Sequence, residues 1–424
     1  PSSGDAPVNL GLAIRNVFRN RWRSGLTACG IGVSVAICIW FGHLMYGMLD
    51  EMIDSMTGSE IGDVQMTSEA YVEESNLFNA MALQGANLDQ VRALPEVGAL
   101  SARLQAFGLI GDEKNSQVAR ILGVFPSDEA GVSKLSSTLQ EGSWLSETTQ
   151  VWPEPAEVVL GKMLAKQLKV KTGDTLAVFT TGADGSLGND KLVVKGIAST
   201  GTSTLDRMGV WMHIERCQEL TALDGRVHLV VVKASRGTEV DDLAAAVRGV
   251  TGPGVVARTW REVVPSLDAM IEVSKGSMGI FYFIIFIIAA LGILNTQRMS
   301  ALERRREFGV LIAIGTTPMR LARQVMTEAV VLSAIGGLFG MLLGALVVYY
   351  NQVNGFDFVA MQGGDGAEEM NYMGVALGTL YFNLKLADVL IPTAIMMVVG
   401  FLCGLWPAFT SSRTDAPRAI AGRS

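Results

Sequence analysis

The chain has 424 residues, of which 49% are hydrophobic and 18% charged, and its mean hydropathy is +0.33. Soluble proteins usually carry about 25% charged residues, so this composition excludes an ordinary soluble protein and indicates an integral membrane protein with a large polar portion. The net charge of −7 disfavours nucleic-acid binding, which needs a basic face.

The N-terminal residues 1–24 are predicted to be cytoplasmic and to contain an amphipathic helix. They lack the charged region and cleavage site of a signal peptide, so the first hydrophobic segment is expected to stay as an anchor. Leu12, Val17 and Trp22 alternate with arginines at near-helical spacing. This pattern predicts a helix in the membrane interface, with its arginines toward anionic lipid headgroups.

Four apolar segments are long enough to cross a bilayer, because a spanning helix needs about 20 mainly apolar residues. They are Gly25–Leu49, Gly276–Asn295, Val325–Tyr350 and Val389–Thr410. Buried helices of a soluble protein are the alternative, which four runs of this length disfavour. We therefore predict four transmembrane helices.

The distribution of arginines predicts the orientation of these helices, since short cytoplasmic loops are enriched in basic residues. Arginines cluster before the first span, in the loop 296–324 and in the tail 411–424. The loop 351–388 instead contains Asp357, Asp365, Glu368 and Glu369, with Lys385 as its only basic residue. Both termini and the loop 296–324 are thus predicted to be cytoplasmic, and residues 50–272 to lie on the opposite side.

Residues 50–272 are numerous enough to fold as one or two domains, and their pattern predicts an α+β fold. The predicted strands are Asp63–Thr67, Ser116–Gly123, Thr175–Thr180, Lys191–Ile197, Val210–His213 and Val227–Val232. The predicted helices are Leu88–Leu94, Val159–Leu168, Glu215–Leu220 and Val240–Val250, and a turn is predicted over residues 183–190.

Catalytic and cofactor motifs are not found in the sequence. There is no nucleophile elbow, no metal-binding spacing and no GxxxxGK[ST] phosphate loop. His213 alternates with apolar neighbours, which favours a structural histidine. Cys217 is the only cysteine outside the apolar runs, so no disulfide is expected there. We predict a chain that is not an enzyme and binds no metal or cofactor of its own.

The loop 296–324 has the features of a helix–turn–helix. Glu303/Arg306 and Arg304/Glu307 are i,i+3 pairs that favour a helix continuing beyond the membrane, with Arg305 between them. The residues after this helix predict a sharp turn. Glycine is common at a helix C-terminus, threonine is common at an N-cap, and proline is common at the first position of a helix. These residues are Gly315, Thr317 and Pro318.

An apolar patch precedes that turn. It consists of Val310, Leu311 and Ile314, and it is flanked by charged residues. Such a patch on a cytoplasmic loop suits a groove on a partner protein. The alternative is that the arginines only set the topology, but topology requires neither the apolar patch nor the turn residues.

Three glycines repeat every fourth residue along the third span: Gly336, Gly340 and Gly344. Small residues at this spacing allow two helices to approach closely. Their partner helix is predicted to lie either within the same subunit or across a dimer.

At residues 295–340 the chain reads NTQRMSALERRREFGVLIAIGTTPMRLARQVMTEAVVLSAIGGLFG, and this resembles the core of FtsX-like permeases. In that family a charged helix runs into an apolar-Ala-x-Gly turn, and a glutamate stands at the start of the third span. The matching positions are Glu303, Arg304, Arg306, Glu307, Gly309, Ala313, Gly315 and Glu328, with Pro407, Ala408, Pro417 and Ala419 in the closing segment.

The resemblance extends over nearly the whole chain and is to the LolC/LolE–MacB type of mechanotransmission transporter. It implies a multi-pass protein of the bacterial inner membrane with a large periplasmic domain. That domain would have a Porter-like base at residues 50–105 and 225–272, with a Sabre-like insert at residues 106–224.

The resemblance also implies partners. ATP and Mg would bind a separate dimeric ATPase that docks on the loop 296–324. Four spans are few for a transport path, so a second permease subunit, identical or paralogous, is expected.

Three activities are open from this resemblance. The leading one is extraction of lipoproteins for a periplasmic carrier, since Thr259 and Trp260 resemble the LolC/LolE approach to span two. The alternatives are MacB-like efflux of peptides or hydrophobic molecules with an adaptor, and FtsX-like signalling to a cell-wall hydrolase. Candidate acyl-chain contacts in spans one and two are Phe41, Met45, Met48, Phe281 and Phe283, with His43 as a polar residue at span depth.

Overall fold

The computed structural model describes residues 21–112, 114–150, 152–357, 370–372, 375–377 and 379–412. The chain forms two compact units. A helical unit comprises Pro1–Met48, Ile271–Asp357 and Thr379–Ser424, and an α/β unit comprises Leu49–Met270 and Phe358–Gly378. The predicted interfacial helix up to residue 20, the tail from residue 413, and Asp365, Glu368 and Glu369 lie outside the described residues.

The α-helices of the described chain are numbered in chain order. They are α1 (Arg21–Met56), α2 (Glu69–Glu73), α3 (Leu88–Arg92), α4 (Pro126–Val132), α5 (Lys162–Leu168), α6 (Ser203–Met208), α7 (Ile214–Thr221), α8 (Val240–Val250), α9 (Trp260–Val263), α10 (Pro265–Glu303), α11 (Arg305–Ala313), α12 (Pro318–Asn354) and α13 (Leu386–Ser412). A single π-helical turn, Thr57–Ile61, follows α1.

The strands are β1 (Val64–Ser68), β2 (Met81–Ala82), β3 (Val97–Gly111), β4 (Ser116–Val124), β5 (Leu139–Gly142), β6 (Ala156–Gly161), β7 (Thr175–Thr181), β8 (Leu187–Ala198), β9 (Gly209–His213), β10 (Arg226–Val227), β11 (Leu229–Ala234) and β12 (Val255–Thr259). Four short strands complete the described chain: β13 (Phe356–Asp357), β14 (Met370–Tyr372), β15 (Val375–Leu377) and β16 (Thr379–Leu380).

Among the described residues, four helices are long and apolar enough to cross a membrane, and they are α1, α10, α12 and α13. Each contains one of the four predicted apolar segments, so the prediction of four apolar helices is confirmed. The helices extend beyond those segments. At 39 residues, α10 is about 58 Å long at a rise of about 1.5 Å per residue, whereas the hydrocarbon core is about 30 Å thick.

The α/β unit is built on a ten-stranded mixed sheet in the order β12-β1-β11-β3-β4-β9-β6-β8-β5, with β7 paired to both β3 and β8. Those two pairings close six strands into a ring: β3, β4, β9, β6, β8 and β7. The strand β3 joins the ring to the rest of the sheet, because residues 97–103 pair with β11 and residues 108–111 pair with β7. The division into a Porter-like base and a Sabre-like insert remains a prediction.

Most of the elements predicted from local patterns are present in this unit, but three assignments were wrong in part. The strand predicted at Val227–Val232 is divided at His228 into β10 and β11, which belong to different sheets. Residues 159–161, predicted as helix, end the buried strand β6, and helix α5 begins only at Lys162. Periodicity alone does not distinguish a fully buried strand from a buried helix. The predicted turn at 183–190 is shorter, because β8 begins at Leu187. The longest strand, β3, was not predicted.

Both histidines of the α/β unit have structural partners. His213 is the N-cap of α7: its Nδ1 accepts a hydrogen bond from the Glu215 N–H at 3.4 Å, and its Nε2 donates to the Glu147 carbonyl. His228 is 1% exposed, accepts from the Gln105 N–H and donates to a backbone carbonyl. Burial lowers the pKa of His228, so its ring is neutral at neutral pH.

The glycine seam of α12 packs against α1 within the same chain. A Cβ added at Gly336 would lie 2.7 Å from the Cβ of Ile31, and one added at Gly340 would lie 2.3 Å from the backbone oxygen of Gly32. A Cβ at Gly344 would lie 3.0 Å from the Cβ of Ile39. Of the two partners predicted for this seam, the structure therefore shows the one within the subunit.

A second seam of small residues, which was not predicted, joins α12 to α13. A Cβ at Gly400 would lie 1.8 Å from the Oγ of Ser333, and a Cβ at Gly404 would lie 2.8 Å from the Cβ of Ala329. Ser333 and Ala329 are both buried. Helix α12 therefore packs on two sides through small residues.

Replacing Gly340 with valine is expected to destabilise the helical unit by about 3 kcal/mol or more. The clash is with the backbone of Gly32, which no rotamer change relieves, and overpacking commonly costs 1–3 kcal/mol. Thermal unfolding of the purified chain in detergent measures the effect. The matched control is Gly279→Val in α10, where an added Cβ has no neighbour within 4 Å. Equal loss of stability in both variants would contradict the packing role of the seam.

Candidate functional site

The loop 296–324 contains the predicted helix–turn–helix, with two differences. Helix α10 ends at Glu303, and Arg304, with φ −94° and ψ 6°, interrupts the path before α11 begins. The turn follows at Gly315, whose φ of +99° suits glycine. Pro318 begins α12 and Thr317 occupies its N-cap position, as predicted, but the side chain of Thr317 makes no capping hydrogen bond.

Arg304 is the centre of an ion cluster. Its Nη1 donates to both carboxylate oxygens of Glu328 at 2.9 Å, and its Nε donates to Glu307 at 3.2 Å. Its guanidinium also lies 5.2 Å from the ring centroid of Phe308. Glu328 is 8% exposed, so its charge needs this partner, because an unpaired carboxylate near the membrane is costly. The cluster holds the start of α11 against α12.

The predicted Glu303/Arg306 pair is not observed. Glu303 instead accepts from Arg23 of α1 at 2.6 Å, and the same guanidinium donates to the Thr296 carbonyl at 2.9 Å. The i,i+3 spacing pairs side chains only along a continuous helix, and the break at Arg304 separates these two residues. The ion pair links α1 to the end of α10.

One face of α11 is buried. Phe308 is 1% exposed and packs in a cluster with Leu321, Val325 and Ala408. Leu311 is half-buried against the same cluster. Gly309 is buried as well. Leu311, predicted to belong to an exposed patch, therefore packs inward.

The opposite face of α11 is exposed and apolar at its end. Val310 is 47% exposed and Ile314 is 74% exposed, and they are one helical turn apart. Met319, just after the turn, is 64% exposed. We refer to Val310, Ile314 and Met319 as the exposed patch. The charged side chains of Arg306 and Glu307 are also exposed beside it.

The predicted substrate-contact residues of spans one and two are partly brought together. The rings of Phe41 and Phe281 stack with centroids 3.9 Å apart. Met45 is half-buried and Met48 is 8% exposed. Phe283 does not share the face of Phe281, because two residues along a helix correspond to about 200° of rotation. Its side chain is 65% exposed.

His43 is enclosed within the helical unit, with 3% of its surface exposed. Its Nδ1 donates to the Ile39 carbonyl at 2.8 Å. Its Nε2 is buried and has no hydrogen-bond partner among the described residues. The functional role suggested by its depth remains a prediction.

The end of α1 is tied to the sheet inside the α/β unit. Glu60, in the π turn, pairs with Arg120 of β4, and its carbonyl accepts from Arg103 of β3. Arg103 is itself held by Glu129, with Nη2 to Oε1 at 2.6 Å and side-chain exposures of 5% and 0%. This network was not predicted, because its members are far apart in the chain.

Comparison with known proteins identifies the family. Residues 24–250 match the MacB-like periplasmic core domain, and residues 279–416 match the FtsX-like permease C-terminal domain. The first match alone covers more than half of the chain. The chain belongs to the FtsX-like permeases of the LolC/MacB type. The predicted resemblance is thereby confirmed, and the protein is an ABC transporter permease.

Individual relatives of this permease are distant. The lipoprotein-releasing system transmembrane protein LolC of Xylella fastidiosa is 24% identical over 440 residues, covering 98% of both chains. The macrolide export ATP-binding/permease protein MacB of Nitrosomonas europaea is 21% identical, covering 96% of the permease and 59% of MacB. The periplasmic region of MacB from Actinobacillus actinomycetemcomitans aligns with a TM-score of 0.36 at 13% identity, over 50% of the permease and 95% of that chain.

Two residues that were not among the predicted ATPase-contacting residues form ion pairs with them. Glu328 pairs with Arg304, and Arg23 pairs with Glu303. A signal for Glu328 was present in the sequence, because a carboxylate at the start of an apolar span is expected to have a cationic partner. The partner's identity required the fold.

Proposed function

We propose that this permease extracts lipid-anchored proteins from the outer leaflet of the inner membrane and passes them to a periplasmic carrier. A separate ATPase subunit, which binds ATP and Mg, supplies the energy. The observation that carries the proposal is the end-to-end match to LolC, which covers 98% of both chains. The match to MacB leaves about two fifths of that ATP-binding protein without a counterpart.

In this proposal the ATPase engages the exposed patch. Val310 and Ile314 enter an apolar groove of the ATPase, and the flanking charges of Arg306 and Glu307 orient the contact. Arg304 then transmits the force, because its bond to the buried Glu328 joins α11 to α12. In this proposal the residues that couple the permease to the ATPase move as one unit, and they are Glu303, Arg304, Arg305, Arg306, Glu307, Gly309, Val310, Leu311, Ile314, Gly315 and Pro318.

The end of α1 belongs to the α/β unit. This helix is continuous from Arg21 to Met56. Its far end is tied to β3 and β4 through the π turn, since Glu60 pairs with Arg120 and accepts from Arg103. Within the α/β unit, these contacts hold the end of α1 against the sheet.

The substrate is proposed to bind by its acyl chains. The stacked rings of Phe41 and Phe281, with Met45 and Met48 on the same helix as Phe41, form an adaptable apolar surface. Phe283, which is 65% exposed and lies on another face of α10, is not part of this surface.

A carrier-docking surface is proposed on the outside of the six-strand ring. Leu109 of β3 is paired with Val118 of β4 and with Phe179 of β7, and all three side chains are about half exposed. Phe107 and Leu187 extend the same face at 62% and 69% exposure. An exposed apolar row of this kind marks a protein-interaction site, and a carrier with an apolar opening fits it.

Co-purification tests the proposal. When the full chain is isolated with its ATPase from envelopes, we expect a triacylated lipoprotein to accompany it, and ATP to release that lipoprotein only when a carrier is present. The matched control is the same lipoprotein with its acylated cysteine changed to serine, which has no acyl chains to bind. Mass spectrometry of the bound fraction is the measurement.

Two other results would contradict lipoprotein release. MacB-like efflux, favoured by the match over 96% of the chain, predicts ATPase stimulation by a macrolide or peptide with no bound lipoprotein. Signalling of the FtsX kind predicts stimulation by a cell-wall hydrolase.

A further inference from the structure

A cavity of about 370 Å³ lies where the ends of α10 and α13 meet the start of α11. Arg298, Ala301 and Leu302 line it from α10, Arg305 and Phe308 from α11, and Trp406, Thr410 and Ser411 from α13. All belong to the helical unit. The volume is in the range of small-molecule sites, which is roughly 300–1,000 Å³.

The charge of this cavity is entirely positive. Its lining contains two guanidinium groups, from Arg298 and Arg305, and no carboxylate. Neither guanidinium has an ion-pair or hydrogen-bond partner within the described part of the chain, although the neighbouring Arg304 has two. Two unpaired arginines that line one cavity repel each other, so an anion between them would be stabilised. Guanidinium groups suit phosphate oxygens in particular, because their N–H groups can donate in pairs.

A second observation points to a ligand. Ser411 is 4% exposed, and its Oγ is buried without a hydrogen-bond partner in the described chain. An unsatisfied buried hydroxyl costs about 1–3 kcal/mol. Ser34, Ser277 and Ser333 of these helices avoid this cost by donating to the carbonyl four residues back, which Ser411 does not do. A phosphate oxygen in the cavity would accept a hydrogen bond from this hydroxyl.

The apolar lining distinguishes a lipid headgroup from a free anion. Trp406 is 60% exposed and Leu302 is 60% exposed, so an open apolar surface leads into the basic cavity. Tryptophan is enriched where acyl chains meet headgroups. Basic pockets between membrane helices commonly bind anionic headgroups.

We propose that this cavity binds the phosphate of an anionic phospholipid of the phosphatidylglycerol type. Arg298 and Arg305 hold the phosphate oxygens, Ser411 donates to it, and the acyl chains lie along Leu302 and Trp406. The absence of a carboxylate from the lining disfavours zwitterionic lipids, whose ammonium group would find no partner. The lipid would brace α11, since Arg305 begins that helix.

The experiment uses the full chain with its ATPase, reconstituted in nanodiscs of phosphatidylcholine with and without phosphatidylglycerol. We expect phosphatidylglycerol to raise the thermal unfolding midpoint and to remain bound after transfer to detergent, as seen by native mass spectrometry. The double variant Arg298→Gln/Arg305→Gln should retain roughly tenfold less of this lipid, because it loses two charge-assisted contacts. Arg320→Gln, an exposed arginine outside the cavity, is the matched control and should retain it fully.

Two further measurements separate lipid binding from loss of fold and from binding of free phosphate. Ser411→Ala should lower lipid retention while leaving the fold intact, because it removes only an unpartnered hydroxyl. Inorganic phosphate added to phosphatidylcholine nanodiscs should not reproduce the stabilisation. The proposal is overturned if phosphate alone does so, if both lipids are retained equally, or if the double variant keeps the lipid. It is also overturned if the lipid binds only after residues 413–424 are removed, since the tail would then be the occupant.

Discussion

Replacing Val310 and Ile314 together with aspartate is expected to abolish ATPase association while the permease still inserts and folds. Both side chains are largely exposed in the described chain, and exposed substitutions typically change stability by about 0.5 kcal/mol or less. In the complex, two carboxylates would be buried in an apolar groove at a cost of several kcal/mol, which corresponds to a loss of about 100-fold or more in affinity. Co-purification with a tagged ATPase, and its ATP hydrolysis rate, measure the effect.

The matched control places the same two charges on the α/β unit. Phe107→Asp/Val118→Asp also converts two exposed apolar residues, of 62% and 53% exposure, and should leave ATPase association unchanged. Leu311→Asp serves as the opposite control, because Leu311 packs on the Phe308 cluster and its replacement should reduce the amount of folded permease. If the ATPase still bound the double variant normally, the arginine-rich loop would be a topology signal alone.

Replacing Glu328 with alanine is expected to destabilise the helical unit by about 3 kcal/mol and to uncouple ATP hydrolysis from transport. The change leaves Arg304, which is 16% exposed at its side chain, without its main counter-charge. Removing one partner of a buried ion pair commonly costs about 3–5 kcal/mol, and partial solvent access places this pair at the lower end. Thermal unfolding in detergent reports the stability, and substrate released per ATP reports the coupling.

The internal control for this prediction is the other partner of the same arginine. Glu307 is 43% exposed, so Glu307→Gln should cost less than about 1 kcal/mol. Arg304→Lys should fall between the two variants, because lysine keeps the charge near Glu328 but loses the second contact and the stacking on Phe308. If Glu328→Ala were as stable as the parent chain, the ion cluster would not be what joins α11 to α12.

The extent to which the fold was predictable differs between the two units. Hydropathy located the four long helices, because each signal is local and about 20 residues long. The turn at Gly315 and Pro318 was also readable, since both residues have strong backbone preferences. The strand β3 was not predicted. Its 15 residues pair with different strands along their length, so the burial of each residue depends on its partner strand and shows no single local pattern.

At the candidate site, too, local features were predictable and side-chain partners were not. The sequence by itself determined the apolar helices, the arginine-rich loop, the glycine spacing and the family. Only the tertiary structure decided that Glu303 pairs with Arg23, that Glu328 holds Arg304, and that Leu311 turns inward while Ile314 stays exposed. The physical reason is that a charge or an apolar side chain takes its partner from residues distant in the chain. Those distances are set by helix packing, whereas local propensity acts only over a few residues.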